Sequence, residues 1–299
     1  MGLLWRLEGV DIPNPNHFSE SGASGGVFTI INNNVLANSD FFTGAFPADY
    51  GNALSGVFDV KMRTGNNYQR EFTFQSGFSG MEIGLEGPFR VKKEISNSSY
   101  LLNYRISTVE FIDKIGLNVS GYVPKFQDIS FKINIPNENK SKISIFGIGG
   151  LSSINVLDKE KEQEEWTYEN AGENVYITAN MGVAGICYTK YFSPSTRIEN
   201  TIAISGKLNK AKSDSFHISG NNIFPIAEEF FNEIIYTFQN RYFKKINNPR
   251  FFKSYSLRSR IWKENQPGFD GQCRSLLSAI VRYSGKEKHS GLFIVKCWG

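Results

Sequence analysis

A two-residue alternation of apolar and polar side chains, which begins near Tyr68, constrains the fold of this chain more than any other feature. Phe72 and Phe74 alternate with polar neighbours, and so do Met81 and Ile83 in the next segment. A period of two is the repeat of a β-strand, whose successive side chains point to opposite faces. The phase changes between these two segments, so the pattern predicts a tight turn near residues 77–80.

The alternation continues far along the chain. Further segments lie at residues 100–107, 128–135, 142–152, 175–188, 196–206, 233–244 and 251–262, which gives about nine strands. We expect one antiparallel meander from about residue 70 to residue 262, each strand paired with the next. Within it, we expect Ile129, Phe131 and Ile133 to face away from Ser130, Lys132 and Asn134.

The connections between these strands are sorted by length. Short ones fall at 137–141, 189–195 and 245–250, and long ones at 109–125, 153–174 and 207–232. Outer-membrane barrels join their strands by short turns at one end and longer loops at the other, whereas a soluble sandwich has no reason to do so. The alternation and the sorted connections therefore predict that residues 67–262 form strands of a transmembrane β-barrel, with apolar rows facing lipid and polar rows facing the lumen.

Aromatic residues near the predicted strand ends suit two interpretations. They are Tyr104, Tyr122, Phe126, Tyr188, Tyr191 and Phe192. They could form girdles at the membrane interfaces, or they could be ordinary packing residues of a sheet.

The first 66 residues have a different character. They are rich in Gly, Asn and Pro, which predicts short strands and one short helix, near residues 34–38, in a compact α+β unit. We expect this unit to lie against the polar side of the sheet. Residues 263–299 show no clear alternation, so they are interpreted as an atypical tail of unknown structure.

Two segments of the first unit resemble the closing part of the plug domain of TonB-dependent outer-membrane receptors. The first reads LEGVDIPNP, and the second runs through FFTGAFPADYGNALSGVFDVKMRTGN. The matching motif residues are Gly9, Gly44, Tyr50, Gly51 and Gly56. The second segment is most similar to receptors that carry an N-terminal carboxypeptidase-like regulatory domain, and the resemblance spans roughly residues 5–262.

The sequence also departs from the family pattern. Ser55-Gly56 stands where the family has Gly-Gly, and Arg63-Thr64 stands where a strand usually ends in Thr-Lys. A plugged barrel has about 22 strands, more than twice the number predicted here. The expectation is a fragment that lacks a signal peptide, a TonB box and the first half of the plug. It comprises the C-terminal part of a plug (1–66), the N-terminal strands of an incomplete transmembrane barrel (67–262) and the tail (263–299).

The resemblance implies a receptor in the cell outer membrane that takes up a substrate with energy from a periplasmic TonB-type transducer. Family substrates include iron chelates, cobalamin, glycans and peptides, and the sequence selects none of them. The truncation leaves two alternatives for the single chain, an active receptor and an inactive one. The alternative function is that of a surface or secreted β-sheet protein used for adhesion or binding.

Other chemistry is not predicted. His17, His217 and His289 lack metal-ligand spacing, and Cys187, Cys273 and Cys297 lie far apart. The acidic run at 158–165 is interpreted as a solvated loop, and the glycines at 147–150 open no helix. A net charge of +4 spread along the chain gives no argument for nucleic acid. We therefore expect neither an enzyme nor a metal or cofactor site.

Overall fold

A computed structural model gives the structure of most of the chain. It describes residues 2–19, 25–26, 28–44, 50, 53–77, 80–90, 97–108, 124–137, 139–157, 172–216, 223–245, 252–266, 269–283 and 291–297. The described residues form two sheets, a small one near the N-terminus and a large one whose strands lie between Glu71 and Cys297.

The small sheet has four strands in the order β2-β1-β4-β3. The strands are β1 (Leu3–Leu7), β2 (Val10–Ile12), β3 (Asp40–Phe42) and β4 (Gly56–Val60). β1 pairs with β4 in parallel, and the other pairs are antiparallel. β2 and β4 lie on opposite sides of β1, and β4 runs in the same direction as β1.

A short helix is present close to where it was predicted. It is a single 3₁₀ turn, Asn33–Val35, and the side chain of Asn32 accepts a hydrogen bond from the backbone N–H of Asn34 at its start. The described part of residues 1–66 contains no α-helix, so the expected helical layer of an α+β unit is not found there. Among the described residues, no helix is long and apolar enough to cross a membrane.

The large sheet has eleven strands, and each is hydrogen-bonded to the next in sequence. They are β5 (Glu71–Gly77), β6 (Gly80–Pro88), β7 (Ser99–Ile106), β8 (Lys125–Asn137), β9 (Ser141–Leu157), β10 (Glu173–Ser193), β11 (Thr196–Phe216), β12 (Ile223–Lys245), β13 (Phe252–Gln266), β14 (Phe269–Tyr283) and β15 (Gly291–Cys297).

The predicted meander is confirmed. Nine antiparallel strands, β5 to β13, cover the interval from residue 71 to residue 266, and Gly77 pairs with Gly80 at the predicted tight turn. The sheet does not stop there, because β14 and β15 lie within residues 263–299 and extend it by two strands. The apolar-polar alternation is weak in that stretch, so only backbone pairing reveals these strands.

The predicted sorting of the connections is only partly correct. The connection predicted at 207–232 is wrong, because β11 continues to Phe216 and β12 begins at Ile223. The two strands stay paired there, and Lys210 Nζ lies 3.2 Å from Glu228 Oε1 across the pair. Both side chains are about half exposed. Residues 225–229 at the start of β12 are exposed at consecutive positions, so no period of two marks them as a strand.

The large sheet has two chemically different faces. The outer face carries exposed apolar side chains: Ile83, Tyr104, Ile129, Ile143, Ile186, Ile202, Ile204, Tyr236 and Phe238. The inner face carries buried polar side chains: Glu82, Asn103, Asp128, Ser130, Lys132, Ser144, Thr201, Ser205, Thr237 and Gln239. The predicted phase of the strand around Phe131 is confirmed, since Ile129 is 43% exposed and Ser130 is 1% exposed.

Candidate functional site

The small sheet packs against the inner face of the large sheet, as predicted for residues 1–66. The centre of the contact is apolar. One cluster of buried side chains joins Leu7, Val10, Ile12, Ile30, Ile31, Val35, Val60 and Met62 of the small unit to Leu101, Phe146, Ile148, Met181, Val183 and Ala203 of the large sheet. Burial of apolar surface therefore drives the association. The polar residues around this centre form the candidate site.

Charged side chains join the two sheets on the β6–β8 side. The Arg63 guanidinium donates two hydrogen bonds of 2.7 Å to the two carboxylate oxygens of Glu86. Lys132 Nζ donates to Glu8 Oε1 at 2.9 Å and to the Met62 carbonyl at 2.7 Å. Such charge-assisted bonds are shorter and stronger than neutral ones. The hydrogen bond to Glu86 is also the main cause that raises the pKa of Arg63 above its usual value.

An amide cluster lies beside these ion pairs. Asn32 donates to Asn103 Oδ1 at 3.1 Å, and Asn103 donates to Glu82 Oε1 at 2.7 Å. Asn34 donates to the same Glu82 oxygen in a very short contact. Asn32 and Asn34 lie at the start of the 3₁₀ turn, so this turn positions two side chains against β6 and β7.

A third group of contacts is almost fully buried. His17 Nε2 lies 3.1 Å from Asp128 Oδ2, and both side chains have no exposed surface. Arg105 lies 2.7 Å from the same carboxylate oxygen and also donates to the Thr29 carbonyl. Asp128 therefore links a segment of the small unit to β7 and β8, and it is the partner of the His17 ring.

Phe126 completes this third group. Its ring lies 4.6 Å from that of His17 and 5.1 Å from that of Phe28, centroid to centroid, and it is 4% exposed. The girdle interpretation is therefore wrong for Phe126, because the inner phase of β8 turns it toward the small unit. Tyr104, Tyr188, Tyr191 and Phe192 are exposed, and Tyr122 lies outside the described residues.

The hairpin between β1 and β2 explains the first motif glycine. Leu7 pairs with Val10, and the two turn residues Glu8 and Gly9 both have positive φ, of 50° and 84°. A two-residue turn of this kind favours glycine at its second position. A Cβ added at Gly9 would also clash with the Arg241 guanidinium of β12. Gly9 therefore lies next to Arg241 on the inner face of β12.

The other motif residues do not gather into one site. Tyr50 donates to Asp59 Oδ2 at 2.8 Å, and the Arg6 guanidinium lies 4.3 Å from the centre of its ring. Gly56 begins β4, where a Cβ would lie 2.9 Å from Leu3 Cδ1. Gly44 has open space around it, and Gly51 lies outside the described residues. Close packing accounts for Gly56, and nothing in the structure explains Gly44.

Arg6 is the most buried charge of the small unit. It is 2% exposed, and its Nε donates to Asp11 Oδ1 at 2.8 Å. Burial alone would lower its pKa, but the charge of Asp11 and this hydrogen bond outweigh that effect and raise it. The pair holds β1 to β2 and belongs to the interior of the small sheet rather than to the contact between the sheets.

The described residues contain no group of three or more His, Cys, Asp or Glu side chains arranged to hold a metal ion. His217 and His289 and the acidic run at 158–165 lie outside the described residues. Glu82, Glu86, Asp128 and Lys132 lie on the inner face because each has the phase of the polar row of its strand. The sequence contains no sign of their partners. Those partners lie 20 to 124 positions away in the chain.

No protein-family model matches the chain, and no curated protein matches it significantly. The site itself defines a class of contact: a small β unit is held on the polar face of a large meander by an apolar centre and by charged and amide hydrogen bonds along β6, β7 and β8. Such a contact can hold the unit reversibly, because its polar hydrogen bonds can be exchanged for hydrogen bonds to water when the unit moves.

Proposed function

We propose that the chain is part of a TonB-dependent outer-membrane receptor, in which the large sheet is barrel wall and the small unit is plug. The observation that carries the proposal is the outer face of the large sheet. Ile83, Ile129, Ile186, Ile202, Ile204, Tyr236 and Phe238 are 43–63% exposed and all lie on that face. Monomeric soluble proteins rarely expose a continuous apolar surface of this extent.

The inner face supports the same proposal. Charged and amide groups are costly in lipid unless they are paired, and they are well suited to a wet lumen. The paired groups on this face include Glu86, Asp128 and Lys132, all bonded to residues 1–66. A sheet with an apolar exposed side and a polar packed side is the expected design of a transmembrane barrel wall around a plug.

The edges of the sheet indicate a further partner. Within the described strands, β5 and β15 each have one neighbour. Because every pairing in the meander is antiparallel, the first and eleventh strands run in the same direction. Closure into an all-antiparallel barrel therefore needs an odd number of additional strands between them. We propose that such strands complete the wall, supplied by a longer chain or by another chain.

The proposed activity is energised uptake across the outer membrane. In this function the small unit closes the lumen, and a periplasmic TonB-type partner moves it aside so that a substrate can pass. The ion pairs on the β6–β8 side suit that role, because Arg63–Glu86 and Lys132–Glu8 hold the unit in place without a covalent link. The proposed location is the outer membrane, and the substrate is a small molecule, glycan or peptide that the resemblance does not specify.

The membrane location can be tested with two tryptophan variants of the full chain. Ile202→Trp places an indole on the outer face, and Leu54→Trp places one at a position of the small unit that is 83% exposed. Both variants are reconstituted in phosphatidylcholine vesicles with and without brominated acyl chains. We expect bromine to quench the added fluorescence of Ile202→Trp strongly and that of Leu54→Trp weakly.

Equal quenching of the two variants would contradict the proposal. So would a monodisperse monomer of the unmodified chain in detergent-free buffer, because a sheet with this outer face needs an apolar solvent or cover. In that case a surface or secreted β-sheet binding protein would be the better description.

A further inference from the structure

Four polar side chains form a distinct patch on the inner face of β11 and β12. We define the β11–β12 polar patch as Thr201, Ser205, Thr237 and Gln239. Each is only 1–2% exposed. Each also has a buried side-chain oxygen without a hydrogen-bond partner among the described residues: Oγ1 of Thr201, Oγ of Ser205, Oγ1 of Thr237 and Oε1 of Gln239. Four such atoms in one patch require a physical explanation.

The four side chains are neighbours. Thr201 is directly opposite Gln239 in the pairing of β11 with β12, and Thr237 is opposite Ala203. Directly opposite residues have Cβ atoms about 4.5–5.5 Å apart, and residues two apart on one strand are separated by about 6.6 Å. Ser205 follows Ala203 by two residues on the same face. The four oxygens therefore lie in one region of the inner face.

That region lies within the contact between the sheets. Ala203, between Thr201 and Ser205, belongs to the apolar cluster that includes Val10 and Ile12, and β2 contacts β11. Arg241, two residues after Gln239, touches the turn at Gly9. The small sheet therefore covers the patch, and bulk solvent does not reach its oxygens.

A buried hydroxyl or amide oxygen without a partner costs free energy, so natural proteins supply one. The patch has no carboxylate, so it offers little to a metal cation. The Gln239 oxygen accepts hydrogen bonds, whereas the hydroxyls can donate or accept. Small neutral molecules that both donate and accept can satisfy these oxygens, and each buried water typically makes about three such bonds.

We propose that the β11–β12 polar patch is a binding site for ordered water between the small sheet and the inner face. The small unit then meets β6–β8 through direct charged bonds and meets β11 and β12 through water at this patch. This inference does not depend on whether the outer face lies in lipid.

The sign of a stability change tests the proposal. Thr201→Val, Thr237→Val and Ser205→Ala each remove one hydroxyl with little change of shape. If the hydroxyls bond to water, each substitution should raise the equilibrium constant for unfolding about fivefold. If the patch is dry, removal of an unpaired hydroxyl should lower that constant. A lowered or unchanged constant for all three variants would overturn the proposal.

Ser152→Ala is the matched control. Its hydroxyl is buried and bonded within the protein, to the Ala179 carbonyl and to the backbone N–H of Phe18. This variant should raise the unfolding constant whether or not the patch is hydrated, and it therefore shows that the assay detects removal of a buried hydrogen bond.

Discussion

Replacement of Ile202 by arginine gives the sharpest test of what surrounds the large sheet. Ile202 lies on the outer face of β11 and is 63% exposed, so the rest of the protein covers only about a third of it. Complete burial of an isoleucine side chain is worth about 1.5–3 kcal/mol. Removal of this partial cover in Ile202→Arg should therefore cost about 0.5–1 kcal/mol.

The remaining cost of Ile202→Arg depends on whether the outer face meets water or lipid. On a face in water, a surface substitution of this kind changes the free energy of unfolding by no more than about 0.5 kcal/mol beyond that cost. On a face in lipid near the bilayer midplane, an arginine costs about 2–4 kcal/mol. Ile204, Tyr236 and Phe238 lie around Ile202 on the outer face and are 44–51% exposed, so the position is well inside the apolar area.

The assay is equilibrium unfolding by denaturant of the chain refolded in phospholipid vesicles, with the free energy taken from the midpoint and slope. Ile202→Ala measures the cost of removing the isoleucine side chain alone. Leu54→Arg, at an 83% exposed position of the small unit, measures the effect of the added charge. We expect Ile202→Arg to cost at least about 2 kcal/mol more than Ile202→Ala. A difference below about 0.5 kcal/mol would refute the idea that this face meets lipid.

Four other predictions concern the rest of the protein. The first three follow from contacts inside it and are measured by the same unfolding assay, and the fourth follows from its exposed edges. Arg63→Met should lower the free energy of unfolding by about 1–3 kcal/mol, because it leaves the Glu86 carboxylate without its two charged hydrogen bonds. The control Lys61→Met, at a half-exposed position, should change that free energy by less than about 0.5 kcal/mol. Gly9→Ala should cost about 1–2 kcal/mol because φ is +84° there. Phe126→Ala should cost about 3–5 kcal/mol because the ring is buried. The unmodified chain should aggregate or require detergent, and light scattering in plain buffer checks this.

The sequence alone predicted the large sheet well where one face is apolar. The alternation placed the tight turn at 77–80, the nine strands to residue 262 and the inner position of Lys132, because a period of two assigns each side chain to a face. It failed where that signal is missing. Residues 207–232 pair as strands for most of their length although both of their faces carry polar groups, and β14 and β15 were not predicted.

The tertiary structure decided which residues meet. The phase of each strand placed Glu86, Asp128 and Lys132 on one face, but not opposite Arg63, His17 and Glu8. These pairs depend on how the small sheet sits on the large one. That arrangement is fixed by the fit of the apolar cluster around Phe146 and Val183. Local alternation reports only the face of a side chain, whereas a partner far along the chain is set by the packing of whole sheets. For this reason the sequence determined the two-faced meander, and only the tertiary structure determined the polar contacts that hold the small unit against it.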